Sequence, residues 1–131
     1  MRSERCRILL ADDDPEVQRA VKRVATQFGH ELLQVTTGAE VLRSANTLMP
    51  DLIVLDVSFP DADGRDLLAQ FKADERTRDI PVLVWSAPHD RDSASRIALS
   101  LGAEDYVEKE SAQLLMRKIE RILLRIEGPS A

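Results

Sequence analysis

The chain has 131 residues, of which 44% are hydrophobic and 31% are charged, a balance typical of a globular domain in water. Its length suits a single domain with one sizeable core. The net charge of −5 argues against direct nucleic-acid binding, because phosphate recognition relies on basic patches. A single cysteine, Cys6, excludes an internal disulfide and favours a reducing compartment. The apolar runs are too short to span a membrane, so we expect a cytoplasmic protein.

The first half of the chain alternates short apolar runs with amphipathic segments. Asp14 and Pro15 are typical of a helix start, and Gly29 is typical of a helix end. Apolar runs of strand length alternate with segments of helical periodicity, in chain order: strand 8–11, helix 15–28, strand 32–35 and helix 38–47.

The second half repeats this alternation. The apolar positions predict, in chain order, strand 52–55, a helix that includes residues 67–71, strand 82–85, helix 91–101, strand 105–107 and helix 113–126. Residues 128–131 are expected to form a frayed tail. Five strands alternating with five helices predict an α/β domain with a parallel sheet covered on both faces. No linker or repeat divides it, so we expect one domain over residues 1–131, with its core at about 7–127.

Polar residues follow four of the five predicted strands. Because the carboxyl ends of parallel strands meet at one edge, the following side chains are expected to converge there: Asp12, Asp13, Asp56, Ser86 and Lys109. Three close carboxylates suit a hard divalent cation such as Mg²⁺, and a lysine with a hydroxyl suits a phosphoryl group. A carboxylate can also accept a phosphoryl group and form an aspartyl-phosphate. Asp14 is interpreted as the helix cap and not as a ligand.

Four segments carry a resemblance to a known family, in chain order: ILLADDDP, PDLIVLDVSFPDADG, IPVLVWSA and GAEDYVEK. With these segments in this order, the chain resembles the receiver domains of two-component response regulators, of the chemotaxis-regulator type, over residues 7–127. The resemblance implies a flavodoxin-like receiver fold, with strand order 2-1-3-4-5 and five flanking helices.

The resemblance also implies the chemistry of the site. Asp56 corresponds to the phosphoryl acceptor, and Asp12 and Asp13 correspond to the acidic pair that binds Mg²⁺ together with Asp56. Ser58 would lend its backbone carbonyl to the metal. The phosphoryl donor would be a histidine kinase or a phosphotransfer protein, so we expect a signalling domain and not an enzyme.

Three further residues correspond to family residues that bind the phosphoryl group or change conformation when it is present. Ser86 corresponds to the hydroxyl that bonds the phosphoryl group, Lys109 to its lysine partner, and Tyr106 to the aromatic switch. The signal would leave through a face formed by helix 91–101, the fifth strand and the last helix, toward a downstream protein that the sequence does not name. Two leucines among arginines on the outer side of the last helix, Leu114 and Leu124, predict a contact with a partner protein or with a second copy of the chain, as a homodimer.

Two other functions are left open by the residues. A haloacid-dehalogenase-like phosphatase also uses a nucleophilic aspartate and Mg²⁺, but it needs a second aspartate where this chain has Ser58. A receiver-like binding module that is never phosphorylated would not need the complete set of site residues.

Other residues are given structural interpretations. Trp85 is interpreted as core packing, and His30 and His89 as surface residues. Most relatives have proline after the lysine, where this chain has Glu110, so we expect a trans Lys109–Glu110 bond with Lys109 still directed at Asp56.

Overall fold

The computed structural model describes residues 6–56, 59, 61–86, 99, 101–109 and 111–127, with Ser86, Ile126 and Glu127 described by their backbone alone. The described strands are β1 (Arg7–Ala11), β2 (Glu31–Val35), β3 (Leu52–Asp56), β4 (Val82–Ser86) and β5 (Asp105–Glu108). The described helices are α1 (Pro15–Gln27), α2 (Gly38–Leu48), α3 (Gly64–Ala73) and α4 (Ala112–Glu127). The predicted helix 91–101, the tail 128–131 and His89 lie almost wholly outside this part of the chain.

The five strands form one parallel sheet in the order β2-β1-β3-β4-β5, so the expected strand order is confirmed. In register, Leu9 of β1 pairs with Ile53 of β3, and Val54 of β3 pairs with Leu83 of β4. β1 and β3 are therefore direct neighbours, although three elements, α1, β2 and α2, separate them along the chain. This pairing places the residues that follow β1 beside the end of β3.

The sheet carries a hydrophobic core on each face, because successive side chains of a strand point to opposite faces. Ile8 and Leu10 of β1 pack in a cluster with the apolar faces of α1 and α4. Leu9 and Ala11 pack in a second cluster with α2 and α3. The central strand β3 is buried along its whole length, which explains its continuous apolar sequence.

Helix α1 starts immediately beyond the end of β1, as its cap residues predicted. The Asp14 carboxylate accepts the Glu16 N–H at 2.9 Å, and Pro15 occupies the first turn. Gly29 follows the helix at φ 81°, a left-handed conformation that costs glycine little. The cap fixes where the chain turns, and so it limits where Asp12 and Asp13 can lie.

Helix α4 presents the two faces that the sequence predicted. Its buried side is formed by Leu115, Met116, Ile119, Ile122 and Leu123, with Ala112 at its edge. Its outer side carries Leu114, 45% exposed, and Leu124, 58% exposed, together with Arg117 and Arg121. Among the described residues, no helix is long and apolar enough to cross a bilayer.

The prediction that His30 is a surface residue is wrong. Its side chain is fully buried between the start of the sheet and α4. Nδ1 accepts the Cys6 backbone N–H at 3.2 Å, so the proton of the neutral ring sits on Nε2, which donates to the Glu120 carboxylate. The sequence could not show this burial, because Glu120 lies 90 residues away along the chain.

Candidate functional site

Three carboxylates converge at the carboxyl end of the sheet. Asp12 follows β1 directly and Asp56 is the last residue of β3, and these strands are neighbours. One carboxylate oxygen from each of Asp12, Asp13 and Asp56 lies within 4.8 Å of the other two. Asp12 and Asp56 are buried, whereas Asp13 is exposed. The three residues therefore lie together at one edge of the sheet, as the sequence predicted.

Lys109 enters the same site from the residue after β5. Its ammonium lies 2.6 Å from Asp12 Oδ2 and 3.0 Å from Asp56 Oδ2. One cation therefore bridges the two buried carboxylates, and it offsets the repulsion that would otherwise act between them. The expectation that Lys109 points at Asp56 is met, while the Lys109–Glu110 bond involves a residue that is not described.

The two carboxylates also decide the charge state of the lysine. Burial by itself lowers the pKa of an amine, but the hydrogen bond that Lys109 donates to Asp12 and the negative charge of Asp56 outweigh it. As a result, the pKa of Lys109 lies above its ordinary value. The site thus holds a permanent positive charge beside Asp56 at neutral pH.

Local hydrogen bonds hold the loop that carries Asp12 in place. The Asp12 Oδ1 accepts the Asp14 N–H at 2.9 Å. From α1, the buried Gln18 side-chain amide donates to the Asp12 carbonyl at 3.0 Å and to the Val35 carbonyl at 3.1 Å. Sequence reasoning missed Gln18, although a glutamine three residues before Val21, on the buried face of a helix, was the available signal.

A second missed residue is Asp61, in the loop that follows β3. Its carboxylate accepts the Gly38 N–H at 2.8 Å and the Ala39 N–H at 3.2 Å, at the start of α2. The Gly38 hydrogen bond holds the pKa of Asp61 below its ordinary value. A Cβ on Gly38 would lie 2.4 Å from Ala62 Cβ, so glycine allows the close approach of loop and helix. This contact ties Asp61 and Ala62 to the start of α2.

The remaining predicted site residues are described to different degrees. Ser86 ends β4 and pairs with Glu108 in the β4–β5 ladder, but its side chain lies outside the described part. Ser58 lies outside it as well. Tyr106 is half-buried on β5 and packs against the cluster beneath α2 and α3. The roles of these three residues stay predictions.

The carboxylate cluster suits a hard divalent cation. Mg²⁺ in proteins usually takes one or two carboxylates and keeps several waters, so two of these three carboxylates would be enough to bind it directly. Asp12 and Asp56 are buried, and Asp13 is exposed to solvent. The residues present could therefore hold such an ion near the carboxylate of Asp56.

The chain matches known sequences along most of its length. Residues 8–120 match the family model of the response regulator receiver domain. The chain is 38% identical over 128 residues to the transcriptional regulatory protein PrrA of Mycobacterium tuberculosis, covering 95% of this chain and 52% of that protein. It is 37% identical over 103 residues to KdpE of the same organism, covering 78% of this chain and 43% of that protein. The chain thus spans about half the length of the curated relatives it matches.

Solved structures share the fold. The receiver domain of Francisella response regulator 1452 superposes with a TM-score of 0.83 at 28% identity, over 92% of this chain and 98% of that one. The receiver domain of the sensor histidine kinase PA1611 of Pseudomonas aeruginosa gives a TM-score of 0.80 at 26% identity, over 90% of this chain and 97% of that one. That structure holds a magnesium ion coordinated in its active-site cleft.

Proposed function

Because the chain belongs to the response regulator receiver domains, we propose that Asp56 accepts a phosphoryl group from a histidine kinase or a phosphotransfer protein. The observation that carries this proposal is the ion-paired cluster at the end of the sheet. There a buried aspartate lies beside two further carboxylates and 3.0 Å from a lysine ammonium. A phosphoaspartate signalling site needs an acceptor carboxylate with fixed positive charge beside it.

In the proposed reaction, a carboxylate oxygen of Asp56 attacks the phosphorus of a phosphohistidine. The new bond is an O–P bond, the P–N bond breaks, and the imidazole of the donor leaves with its electron pair. Lys109 lies where it can pair with the oxygens of the transferred group. The Ser86 hydroxyl would donate a hydrogen bond to the product, and Tyr106 would follow that change.

Asp12, Asp13 and Asp56, with the Ser58 carbonyl, would hold Mg²⁺ in this proposal. Bound there, the ion would neutralise negative charge on the phosphoryl oxygens. The ion pair with Lys109 keeps the Asp12 carboxylate in a fixed position, whereas Asp13 stays accessible to solvent. Gln18 holds the Asp12 carbonyl, so the loop would not need to reorganise.

Acetyl phosphate with Mg²⁺ tests the proposal directly. We expect the intact protein to gain the mass of one phosphoryl group, mapped to Asp56, and Asp56→Asn to abolish the adduct. Asp66→Asn, which alters an exposed carboxylate on α3, is the matched control and should keep it. An adduct on Asp12 or Asp13 would refute the assignment. Sustained hydrolysis without an adduct would indicate the phosphatase, which the comparisons do not favour, and no reaction would indicate a binding module.

We further propose that the signal leaves by protein contact through β5 and α4, and that a second copy of the chain can bind there. The outer side of α4 exposes Leu114 and Leu124 beside arginines. Apolar side chains flanked by charge are typical of protein interfaces. The net charge of −5 makes direct contact with nucleic acid the poorer explanation of this surface.

Leu124→Glu should weaken self-association of the phosphorylated protein, because it buries a charge in the proposed contact. Sedimentation velocity over a range of concentrations measures the effect. Met49→Glu is the matched control, since Met49 is a similarly exposed apolar residue at the end of α2. If both variants sediment like the unaltered protein at every concentration, the outer side of α4 does not form a homodimer.

A further inference from the structure

The only tryptophan of the chain lies against the site lysine. Trp85 precedes Ser86 at the end of β4 and is buried. Its ring centroid is 5.6 Å from Lys109 Nζ, within the range of a cation–π contact. Its indole Nε1–H donates to the Glu108 carbonyl at 3.1 Å. Trp85 therefore contacts both the ammonium of Lys109 and the backbone just before it.

The hydrogen bond from the indole supplements the β-ladder at its end. In the ladder, Trp85 pairs with Val107 and Ser86 pairs with Glu108. The side-chain bond from Trp85 reaches one residue beyond its own ladder partner, to Glu108. It thus fixes the last residue of β5, from which Lys109 leaves the sheet.

Lys109 has open space on the side away from the carboxylates. A cavity of about 260 Å³ lies between the start of α1 and the start of α4, and both Lys109 and Trp85 line it. Its other apolar lining residues are Val17, Ala20 and Ala112. Asp14 and Glu16 at the same cavity offer alternative negative charge. Close packing alone therefore does not force the ammonium to stay between Asp12 and Asp56.

We propose that Trp85 is a positioning residue for Lys109, holding the ammonium at Asp12 and Asp56 through its ring and through its hydrogen bond to the Glu108 carbonyl. The functional meaning rests on the proposed phosphoryl transfer to Asp56. Loss of the ring would let Lys109 turn into the cavity, toward Asp14 and Glu16. The phosphoryl group would then lose its fixed cation, while Asp12 and Asp56 would lose a cation that competes with Mg²⁺.

Two readouts test this inference in Trp85→Leu, Trp85→Phe, Lys109→Met and the double variant Trp85→Leu with Lys109→Met. The first is the rate of labelling by acetyl phosphate, and the second is the affinity for Mg²⁺ alone by calorimetry. Trp85→Leu should slow labelling about fivefold or more and should tighten Mg²⁺ binding. Trp85→Phe keeps an aromatic ring beside Lys109, so it should slow labelling less than Trp85→Leu does. In the Lys109→Met background, Trp85→Leu should change either quantity by less than about twofold, since Trp85 acts through Lys109.

Phe71→Leu is the matched control, because it removes a buried ring from the opposite face of the sheet. Phe71→Leu should leave the affinity for Mg²⁺ unchanged. Trp85→Leu should raise it, because Lys109 would no longer stay at Asp12 and Asp56. Equal effects of Trp85→Leu with and without Lys109, or weaker Mg²⁺ binding in Trp85→Leu, would overturn the inference. Failure of the unaltered protein to be labelled would instead contradict the proposed function, and the Mg²⁺ affinities would still decide the role of Trp85.

Discussion

Replacing Lys109 by methionine is expected to destabilise the domain by about 3–5 kcal/mol at neutral pH without divalent cations, because it leaves two buried carboxylates without their shared cation. The Asp12 side chain is 0% exposed and that of Asp56 is 6% exposed, so water can do little to replace the ammonium. Methionine keeps the apolar stem of the side chain. The loss therefore reports charge and not packing, and urea unfolding in EDTA measures it.

Mg²⁺ should restore most of this loss. A cation that binds the folded state alone stabilises it by about 2.7 kcal/mol at a concentration one hundred times its Kd. The Lys109→Met variant should bind Mg²⁺ more tightly than the unaltered protein, since the lysine no longer competes for Asp12 and Asp56. The difference in stability between the two proteins should therefore shrink as Mg²⁺ is added.

The pH dependence follows from the direction of the pKa shift. The pKa of Lys109 is raised in the folded state, so the folded protein binds this proton more tightly than the unfolded chain. The stabilisation is complete below the ordinary lysine pKa of about 10.4, and it is lost as the pH rises through the folded value. The stability gap between the unaltered protein and Lys109→Met should therefore be constant around neutrality and close only at strongly alkaline pH.

Lys118→Met is the matched control for this experiment. Lys118 pairs with Asp105 at 3.1 Å, but both side chains are about one-third exposed. A pair that is open to solvent contributes about 0–1 kcal/mol. If Lys109→Met and Lys118→Met unfold at the same urea concentration, the pairing of Lys109 with the two aspartates does not stabilise the fold.

The sequence predicted the sheet and the position of its site because both depend on simple regularities. The inner strands β1, β3 and β4 read as apolar runs because they have little exposure to water, whereas the edge strands β2 and β5 are partly exposed and carry polar residues beside their apolar ones. Polar residues directly after such runs must lie at one edge of a parallel sheet, which is why Asp12, Asp56 and Lys109 were predicted together. Those three positions needed no knowledge of side-chain packing.

Contacts between distant elements could not be predicted in this way. Gln18, Asp61 and His30 act through hydrogen bonds to groups far along the chain, and a single polar residue carries no sign of which partner it will meet. Trp85 was predicted as core and is buried, but its contact with Lys109 depends on the end of β5. Sequence patterns therefore do not predict the contacts of polar residues whose partners lie far away along the chain.

His30→Ala provides the sharpest test of such a remote contact, and it should destabilise the domain by about 3 kcal/mol or more, through a cavity and two lost hydrogen bonds. The ring is fully buried, accepting the Cys6 N–H and donating to Glu120, so it joins the start of β1 to α4. Glu120→Gln is the matched control, because its amide oxygen can still accept from Nε2 and the loss should be about 1 kcal/mol. Urea unfolding compares the two variants. A His30→Ala midpoint equal to that of the unaltered protein would mean that the two hydrogen bonds and the packing of His30 do not stabilise the fold.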